Sequence, residues 1–407
     1  MRLSSKICRV IGIIVFLSCS VQAIIDAKTG SKSVSKPNII LLVGPSPYWG
    51  GRETHRLNLY KTFLAHGYNA MIVVDPASKG SLIEQKLQKE GLAYLTTEAF
   101  NDTYKLYCFL KKICQSMPAH LLICDLSNLK VAKRLKGDLG LKVLCEIIMP
   151  SISEYSFHLL DGVDGVLISS PFAYEQAKEY VKTRKINIPY IGRRAPFPAQ
   201  EKFLTFSSQE SRESFYKKNF TIDLLGVPVF CMIANMYANT MYKNHALLFQ
   251  AVAKLVYEKN KPIEVMLAGD GVCRPILEKK VHDMKLERYV HFLGLTDKIP
   301  ALLHFSDVHI LTSSLEAFGA VYIEAGLMHR PSIGATETGA VEIIQDNQTG
   351  LLFENGDLND LMNKIEFLLD HPEKRQLMGE QAFVYVMQNY STEALFKKYQ
   401  NMLDTLF

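Results

Sequence analysis

The amino-acid sequence predicts an α/β protein of two doubly wound, Rossmann-like domains. Three observations support this prediction. The chain has 407 residues, a length that suits two domains. Apolar, strand-like runs alternate with amphipathic helical runs, and this alternation fades midway along the chain and then restarts. Strands that alternate with helices are typical of crossover units and a mostly parallel sheet, in which ligands bind at the carboxyl ends of the strands.

The predicted strands divide the chain into two halves of similar size. We expect a first domain over residues 37–200, an interdomain region over 201–225 and a second domain over 226–388. A final helix over 389–407 is a candidate for packing back on the first domain. The predicted strands are 38–43, 70–74, 121–124, 143–148, 166–169, 229–233, 263–268, 290–293, 308–311 and 351–353.

The composition is that of an ordinary globular protein, with 48% hydrophobic and 21% charged residues. A net charge of +5 is small for this length, so it gives no reason to expect nucleic acid as a partner. The cysteines show no metal-ligand spacing. Cys124, Cys145 and Cys231 lie in apolar runs, where cysteine serves as a small apolar residue. We therefore expect neither a disulfide framework nor a metal site.

Residues 1–36 stand apart from the alternating pattern. Basic residues precede an apolar run over residues 10–17, which continues more weakly to residue 25. This layout is typical of a secretory signal peptide, and the run is shorter than the roughly 20 residues that a membrane span needs. Three interpretations stay open: a cleaved signal, an uncleaved anchor, or membrane association through residues 1–25.

The most informative segment for chemistry begins at Glu316. A strand is predicted to end near Thr312, a turn carries Glu316 and Gly319, and a helix starts at about Ala320. A helix N-terminus offers unpaired amides and partial positive charge, which suit a phosphate or a sugar hydroxyl. Glu324, about one turn into the helix, is able to accept two ribose hydroxyls. The alternative makes Glu316 a helix-start charge and Glu324 a solvated residue.

The spacing Glu-x-Phe-Gly-x4-Glu-Ala from Glu316 onward resembles the paired-glutamate signature of retaining glycosyltransferases of the GT-B fold, particularly glycosyltransferase family 4. Further segments resemble the family's motifs in the same order, and together they cover essentially the whole C-terminal half. They are Asn235 with Lys243-Asn244-His245, Gly269-Asp270-Gly271, residues 290–294, residues 307–314, Gly339 with Glu342, and residues 349–352.

This resemblance implies roles for individual residues. Lys243 would bind the donor diphosphate, Glu324 the ribose, and Glu316 would lie near the hydroxyls of the donor sugar. Backbone amides around Phe318 and Gly319 would cap the sugar or the phosphates. Glu316 and Lys243 are thus the catalytic candidates, and a compact ammonium does suit a diphosphate. The alternative for Lys243 is a solvent-facing lysine at a helix start. The remaining donor-binding candidates are Asn235, Gly269 and Gly271.

In the first half, the loop after the first strand resembles the family's GGxE loop. It contains Gly50, Gly51 and Arg52, and the resemblance implies that it lines the acceptor side. Two departures stand out. Many family members carry a histidine after the fifth strand, where residues 145–150 contain none, and many carry an arginine where this chain has Asn235.

The resemblance implies a retaining glycosyltransferase that moves a sugar from a UDP- or GDP-sugar to a glycan or a lipid-linked acceptor. It implies no cofactor, and the absence of an Asp-x-Asp pair gives no reason to expect a metal. The alternatives are a GT-B-like epimerase or hydrolase of nucleotide sugars, and a non-catalytic nucleotide-sugar or glycan-binding protein. Since nucleotide sugars are typically cytosolic, a membrane-associated protein whose catalytic domain faces the cytosol is favoured over a secreted or periplasmic one.

Overall fold

The computed structural model describes residues 36–44, 51–75, 82–148, 153–184, 186–194, 200–237 and 242–407. Contacts between residues divide the chain into two compact units. The first comprises Met1–Glu146, His158–Val166 and Asn187–Pro189, and the second comprises Ile147–Phe157, Leu167–Ile186 and Tyr190–Phe407.

The first sheet has seven strands among the described residues, in the order β3-β2-β1-β4-β5-β6-β7. They are β1 (Ile39–Val43), β2 (Ala70–Val74), β3 (Tyr94–Thr96), β4 (Leu121–Cys124), β5 (Lys142–Ile147), β6 (Gly165–Ile168) and β7 (Tyr190–Arg193). Strand β1 pairs in parallel with β2 on one side and with β4 on the other. The order of the strands therefore reverses at β1, which makes this the switch point of the sheet.

The helices of this half follow the strands. They are α1 (Gly51–Ala65), α2 (Leu82–Lys89), α3 (Thr103–Ser116), α4 (Leu129–Leu139), α5 (Glu154–Leu160) and α6 (Pro171–Arg184), with short 3₁₀ turns at Glu98–Asn101 and Leu126–Asn128. Every residue of β1 is buried. A strand covered by helices on both faces has no polar side, which explains its continuous apolar sequence.

The second sheet has six described strands in the order β10-β9-β8-β11-β12-β13. They are β8 (Val229–Ile233), β9 (Glu264–Ala268), β10 (Val290–Gly294), β11 (Val308–Leu311), β12 (Ser332–Ala335) and β13 (Gly350–Phe353). Strand β8 pairs in parallel with both β9 and β11. The switch point of this sheet accordingly lies between β8 and β11. Two parallel, doubly wound sheets confirm the predicted fold class.

The remaining helices run from the middle of the chain to its end. They are α7 (Gln200–Leu204), α8 (Arg212–Phe220), α9 (His245–Ala253), α10 (Arg274–Asp283), α11 (Ile299–Phe305), α12 (Ala320–Leu327), α13 (Ala340–Ile343), α14 (Leu358–Asp370), α15 (Pro372–Tyr390) and α16 (Thr392–Leu406). Helix α9 is followed directly by one π-helical turn, Lys254–Glu258. Within the second unit, α16 contacts β7.

All ten predicted strands are present, and three further strands, β3, β7 and β12, escaped the sequence analysis. The apolar cysteines behave as expected, because Cys124, Cys145 and Cys231 are fully buried free thiols. No helix among the described residues has both the length and the apolar character needed to cross a bilayer. The signal-like residues 1–25 lie outside the described part of the chain.

The segment predicted as the interdomain region contains most of α7 and all of α8. Phe215 and Tyr216 of α8 are buried and belong to a core cluster with Val229 and Cys231 of β8. The Phe215 ring lies 4.8 Å from the Phe305 ring of α11. This helix is therefore part of the hydrophobic core beside the second sheet.

Truncation of Phe215 tests this packing. Phe215→Ala is expected to lower the free energy of unfolding by about 3–5 kcal/mol, because it removes a buried ring and leaves a cavity. Phe172→Ala on α6 is the matched control, since the Phe172 side chain is 61% exposed and its loss should cost less than about 0.5 kcal/mol. Urea unfolding of both variants measures the difference, and equal losses would show that α8 does not pack as described.

Candidate functional site

The loops that follow β8 and β11 meet at the switch point of the second sheet. Because the two strands are parallel neighbours, their carboxyl ends lie at the same edge, while the chain leaves them in opposite directions. This arrangement opens the crevice in which doubly wound sheets bind ligands. The loop after β8 carries Lys243, and the loop after β11 carries Glu316.

Lys243 is held in place by the end of β11. The Ser314 amide donates to the carbonyl of Tyr242 at 2.8 Å. The Thr312 hydroxyl lies 3.1 Å from the carbonyl oxygen of Lys243 and 3.0 Å from that of Asn244. Asn244 has a φ of 54° and directly precedes α9. The sequence analysis assigned no role to Thr312, although a hydroxyl at the end of a buried strand is a usable signal.

Lys243 and Glu316 form an ion pair between their side chains. Both side chains are mostly shielded from solvent, at 15% and 14% exposure. The backbone around Glu316 is fixed as well, since its carbonyl accepts the amide of Gly339 at 2.8 Å. The two catalytic candidates are thus brought together, as a cation and an anion in direct contact.

Helix α12 begins where the sequence predicted, immediately after Gly319. Gly319 has a φ of 85°, and a Cβ atom there would lie 2.5 Å from the Tyr322 ring, so only glycine fits. The Phe318 side chain is buried and meets the Tyr390 ring edge-on at 5.9 Å. Phe318 therefore anchors the turn to α15 through its side chain, while its backbone lies against Gly339.

Glu324 lies in the second turn of α12 and is partly buried. Burial raises the pKa of its carboxyl group, and the nearby ammonium of Lys202 on α7 opposes the rise. Lys202 is a neighbour that the sequence analysis did not identify. A carboxylate with few water contacts gains more from accepting ligand hydroxyls than an exposed one does.

The glycine turn after β9 is locked against the loop after β8. The Met236 amide donates to the carbonyl of Asp270 at 3.0 Å, and the Cys273 amide donates to that of Met236 at 2.8 Å. Asn235 lies in this loop and is exposed. Three of the predicted donor-binding residues, Asn235, Gly269 and Gly271, thus lie in two loops that are joined to each other.

His245, two residues after Lys243, adds no positive charge to this loop at neutral pH. His245 is buried, and burial lowers its pKa to about 4, with the Lys243 ammonium adding to the effect. At neutral pH the positive charge of this loop therefore resides on Lys243. No group of three or more His, Cys, Asp or Glu residues suited to a metal ion is present in the described part of the chain.

On the acceptor side, Gly50 lies outside the described residues, and α1 begins at Gly51 and includes Arg52. The structure adds a buried charged cluster that the sequence analysis missed. Glu146 of β5 pairs with Arg56 of α1 at 3.1 Å and with the His55 ring at 3.2 Å. All three side chains are almost fully buried. Glu146 lies in residues 145–150, where the family resemblance leads one to expect a histidine.

Comparison with protein families gives a match over residues 226–384 to the model described as "Glycosyl transferases group 1". The N-acetyl-alpha-D-glucosaminyl L-malate synthase of Bacillus anthracis is 34% identical over 153 residues, which cover 38% of this chain and 40% of that enzyme. The poly(ribitol-phosphate) alpha-N-acetylglucosaminyltransferase of Staphylococcus aureus (strain COL) is 30% identical over 155 residues, which cover 38% of this chain and 31% of that enzyme. The chain spans less than half the length of these relatives.

Solved structures resemble nearly the whole chain. Anabaena Alr3699/HepE, solved in complex with UDP and glucose, gives a TM-score of 0.74 at 18% identity, covering 91% of this chain and 100% of that one. A glycosyltransferase from Rickettsia africae ESF-5 gives a TM-score of 0.76 at 20% identity, covering 91% of this chain and 98% of that one. At these identities the likeness establishes the fold, which is the GT-B type expected from the sequence.

Replacement of Gly269 tests whether the locked loops are required for stability. A Cβ atom at Gly269 would lie 1.9 Å from the Ala234 carbonyl oxygen, at a φ of 142° that L-residues rarely adopt. We expect Gly269→Ala to cost at least about 3 kcal/mol of unfolding free energy. Gly356→Ala is the control, since Gly356 also has positive φ but open space around it and should cost about 1–2 kcal/mol. Thermal and urea unfolding compare them, and equal costs would rule out the backbone clash.

Proposed function

We propose that this protein, whose residues 226–384 form a group 1 glycosyltransferase domain, is a retaining glycosyltransferase that uses a UDP- or GDP-sugar and transfers the sugar to a glycan or a lipid-linked acceptor. The observation that carries the proposal is the Lys243–Glu316 ion pair at the switch point between β8 and β11. In this proposal the Lys243 ammonium binds phosphate and the Glu316 carboxylate binds sugar hydroxyls, near the start of α12 and at the edge where doubly wound sheets bind ligands.

The chemistry follows from where charge develops. When the bond between the sugar and the diphosphate breaks, negative charge grows on the leaving phosphate oxygens. The Lys243 ammonium and the amides at the start of α12 are placed to stabilise that charge. Glu316, next to Lys243, would accept hydroxyls of the donor sugar, and Glu324 would accept the ribose hydroxyls. Catalysis in this proposal rests on positioning and on electrostatic stabilisation of the diphosphate.

The names of the relatives guide the choice of donor. Several are named as transferases of N-acetylhexosamine groups, including the Staphylococcus aureus enzyme and an N-acetyl-D-galactosaminyltransferase of Campylobacter jejuni. Alr3699/HepE was solved with UDP. These names support UDP-linked N-acetylhexosamines as the first donors to test, with GDP-sugars as the comparison. An assay that follows both sugar transfer and release of free sugar separates a transferase from a hydrolase.

Two variants and two ligands test the assigned roles. Glu324→Gln should weaken the binding of both uridine and UDP by about 1.5–3 kcal/mol, because it removes a charged acceptor for the ribose hydroxyls. Lys243→Ala should weaken UDP binding and slow turnover of the UDP-sugar. It should barely affect uridine binding, because uridine carries no phosphate. Isothermal titration measures all four affinities. Equal losses for both variants on both ligands would indicate general damage, and no loss for either would overturn the proposal.

Two further variants sharpen this comparison. Lys254→Ala is the matched control for charge, since Lys254 lies in the same domain in a loose pair with Glu258 at 3.9 Å and should leave UDP affinity unchanged. Glu316→Gln releases Lys243 from its partner, so it should retain UDP binding while lowering turnover of the UDP-sugar. Weaker UDP binding in Glu316→Gln would show that Glu316 does not compete with phosphate for the Lys243 ammonium.

Donor binding is expected to be independent of divalent metal. The sequence has no Asp-x-Asp pair, and a lysine with a helix N-terminus is able to neutralise a diphosphate without an ion. UDP titrations of the metal-stripped protein, with EDTA and with added Mg²⁺ or Mn²⁺, should give affinities within about twofold of one another. Complete loss of UDP binding in EDTA would contradict this expectation.

A further inference from the structure

A cavity of about 680 Å³ opens within the second unit, away from the candidate donor site. Asp307, which lines it, directly precedes β11, and Arg330 lies just before β12. These residues mark the edge where the strands begin, whereas Lys243 and Glu316 lie at the edge where β8 and β11 end. The cavity is thus a separate place in the same domain, and its volume is within the range of small-molecule sites.

The cavity contains one deeply engaged carboxylate. Asp307 accepts two parallel hydrogen bonds from the Arg212 guanidinium, at 2.8 and 3.1 Å. It also accepts the Val229 amide at 2.8 Å, and Arg375 lies 3.8 Å from its second oxygen. The negative charge of Asp307 is therefore shared between two guanidinium groups, and the lone pairs of its oxygens are largely occupied by hydrogen bonds.

Arg330 adds a third guanidinium beside this carboxylate. It donates from Nε to the Leu303 carbonyl at 3.1 Å and from Nη2 to the His304 carbonyl at 2.7 Å, at the end of α11. Both acceptors are neutral, and neither bond uses Nη1. Burial lowers the pKa of Arg330; Arg212 and Arg375 lower it further, while Asp307 and Glu380 oppose them. Three guanidinium groups thus face two carboxylates, so the cluster holds more positive than negative charge.

The rest of the cavity wall suits an apolar group of about the size of an aromatic ring. Phe206 and Phe383 of α15 contribute partly exposed rings to the wall, and the almost fully buried Phe203 also lines it. The His329 ring stacks on Phe383 at 4.1 Å with an angle of 11° between the planes. His329 pairs with Glu380 at 2.8 Å, so the rim carries one carboxylate that is exposed to solvent.

We propose that this cavity is a second ligand site, which binds an organic phosphate with its phosphate beside Arg330 and Arg375 and its body against the phenyl rings. Guanidinium groups match phosphate oxygens in geometry as well as charge, and an incoming phosphate would supply the anion that the cluster lacks. A soluble phosphate ester and a lipid phosphate headgroup present the same chemistry, so the experiment must distinguish them.

The test uses the full chain carrying Lys243→Ala, so that phosphate binding at the donor site is weakened. Phenyl phosphate and inorganic phosphate are titrated and followed by ³¹P NMR. Phenyl phosphate should bind more tightly than inorganic phosphate, because only the ester fills the phenyl-lined wall. Adding Arg375→Gln should lower the affinity for phenyl phosphate by about tenfold. Arg288→Gln, at an exposed arginine of the same domain, should change the affinity by less than about twofold.

Arg375 also donates to the Leu368 carbonyl at 2.9 Å, so its loss risks local unfolding. Glu380→Gln removes the rim carboxylate and should instead tighten phenyl phosphate binding by about twofold, a result that unfolding cannot produce. The proposal fails if the ester does not bind, if it binds no better than phosphate, if Arg375→Gln and Arg288→Gln behave alike, or if Glu380→Gln weakens binding.

Vesicles identify the source of the phosphate. Sedimentation of the same variants with phosphatidylcholine vesicles, with and without phosphatidic acid, tests for a lipid headgroup. Binding that requires phosphatidic acid and is lost in Arg375→Gln assigns the cavity to lipid phosphate. Ester binding without vesicle binding assigns it to a soluble ligand. Vesicle binding that persists in Arg375→Gln would show that the membrane contact lies elsewhere and would remove the lipid source from the proposal.

Discussion

The Lys243–Glu316 ion pair is the contact on which the candidate site depends. The two loops that carry it leave neighbouring strands in opposite directions, so nothing in the sheet itself holds their tips together. The ion pair joins them, together with the hydrogen bond from the Ser314 amide to the Tyr242 carbonyl and those from the Thr312 hydroxyl. Under the proposed function, a ligand that enters the crevice would replace the ion pair. Phosphate oxygens compete with Glu316 for the ammonium, and ligand hydroxyls compete with Lys243 for the carboxylate.

This competition favours a ligand that carries both kinds of group. A diphosphate alone would take Lys243 and leave the Glu316 carboxylate, which is only 14% exposed, without its partner. A shielded carboxylate that loses its cation is costly. A nucleotide sugar offers phosphate to one side chain and sugar hydroxyls to the other, so neither is left without a partner. Under the proposed function, the pair would therefore favour binding of the complete nucleotide sugar over binding of its separated parts.

The sequence predicted the fold class and ten strands because buried parallel strands read as continuous apolar runs. It missed β3 and β7, short strands at the edges of the first sheet, where partial exposure weakens that signal. It missed β12 for another reason: its sequence, Ser332 to Ala335, is fully buried but made mostly of small residues. Weak apolar character also hid α8, whose buried rings lie among charged and polar neighbours.

The candidate site was predictable only to the extent that spacing specifies chemistry. Residues close in sequence, such as Glu316, Gly319 and Glu324, were placed correctly on a turn and a helix. The contact of Lys243 with Glu316 links positions 73 apart in the sequence, and the proximity of Lys202 to Glu324 depends on how α7 packs on α12. No local pattern encodes such distances, since tertiary packing sets them. Asp307 and the three guanidinium groups around it come from four separate segments for the same reason.

The buried cluster in the first unit shows how a charged residue near the end of a buried strand is accommodated. A glutamate at the end of a buried strand carries a charge where water cannot solvate it, so Glu146 on β5 needs cationic or hydrogen-bonding partners. Helix α1 supplies both, because His55 and Arg56 are adjacent in its second turn and both reach the Glu146 carboxylate. The carboxyl edge of the first sheet therefore holds a buried imidazole and a buried ion pair, contributed by β5 and α1.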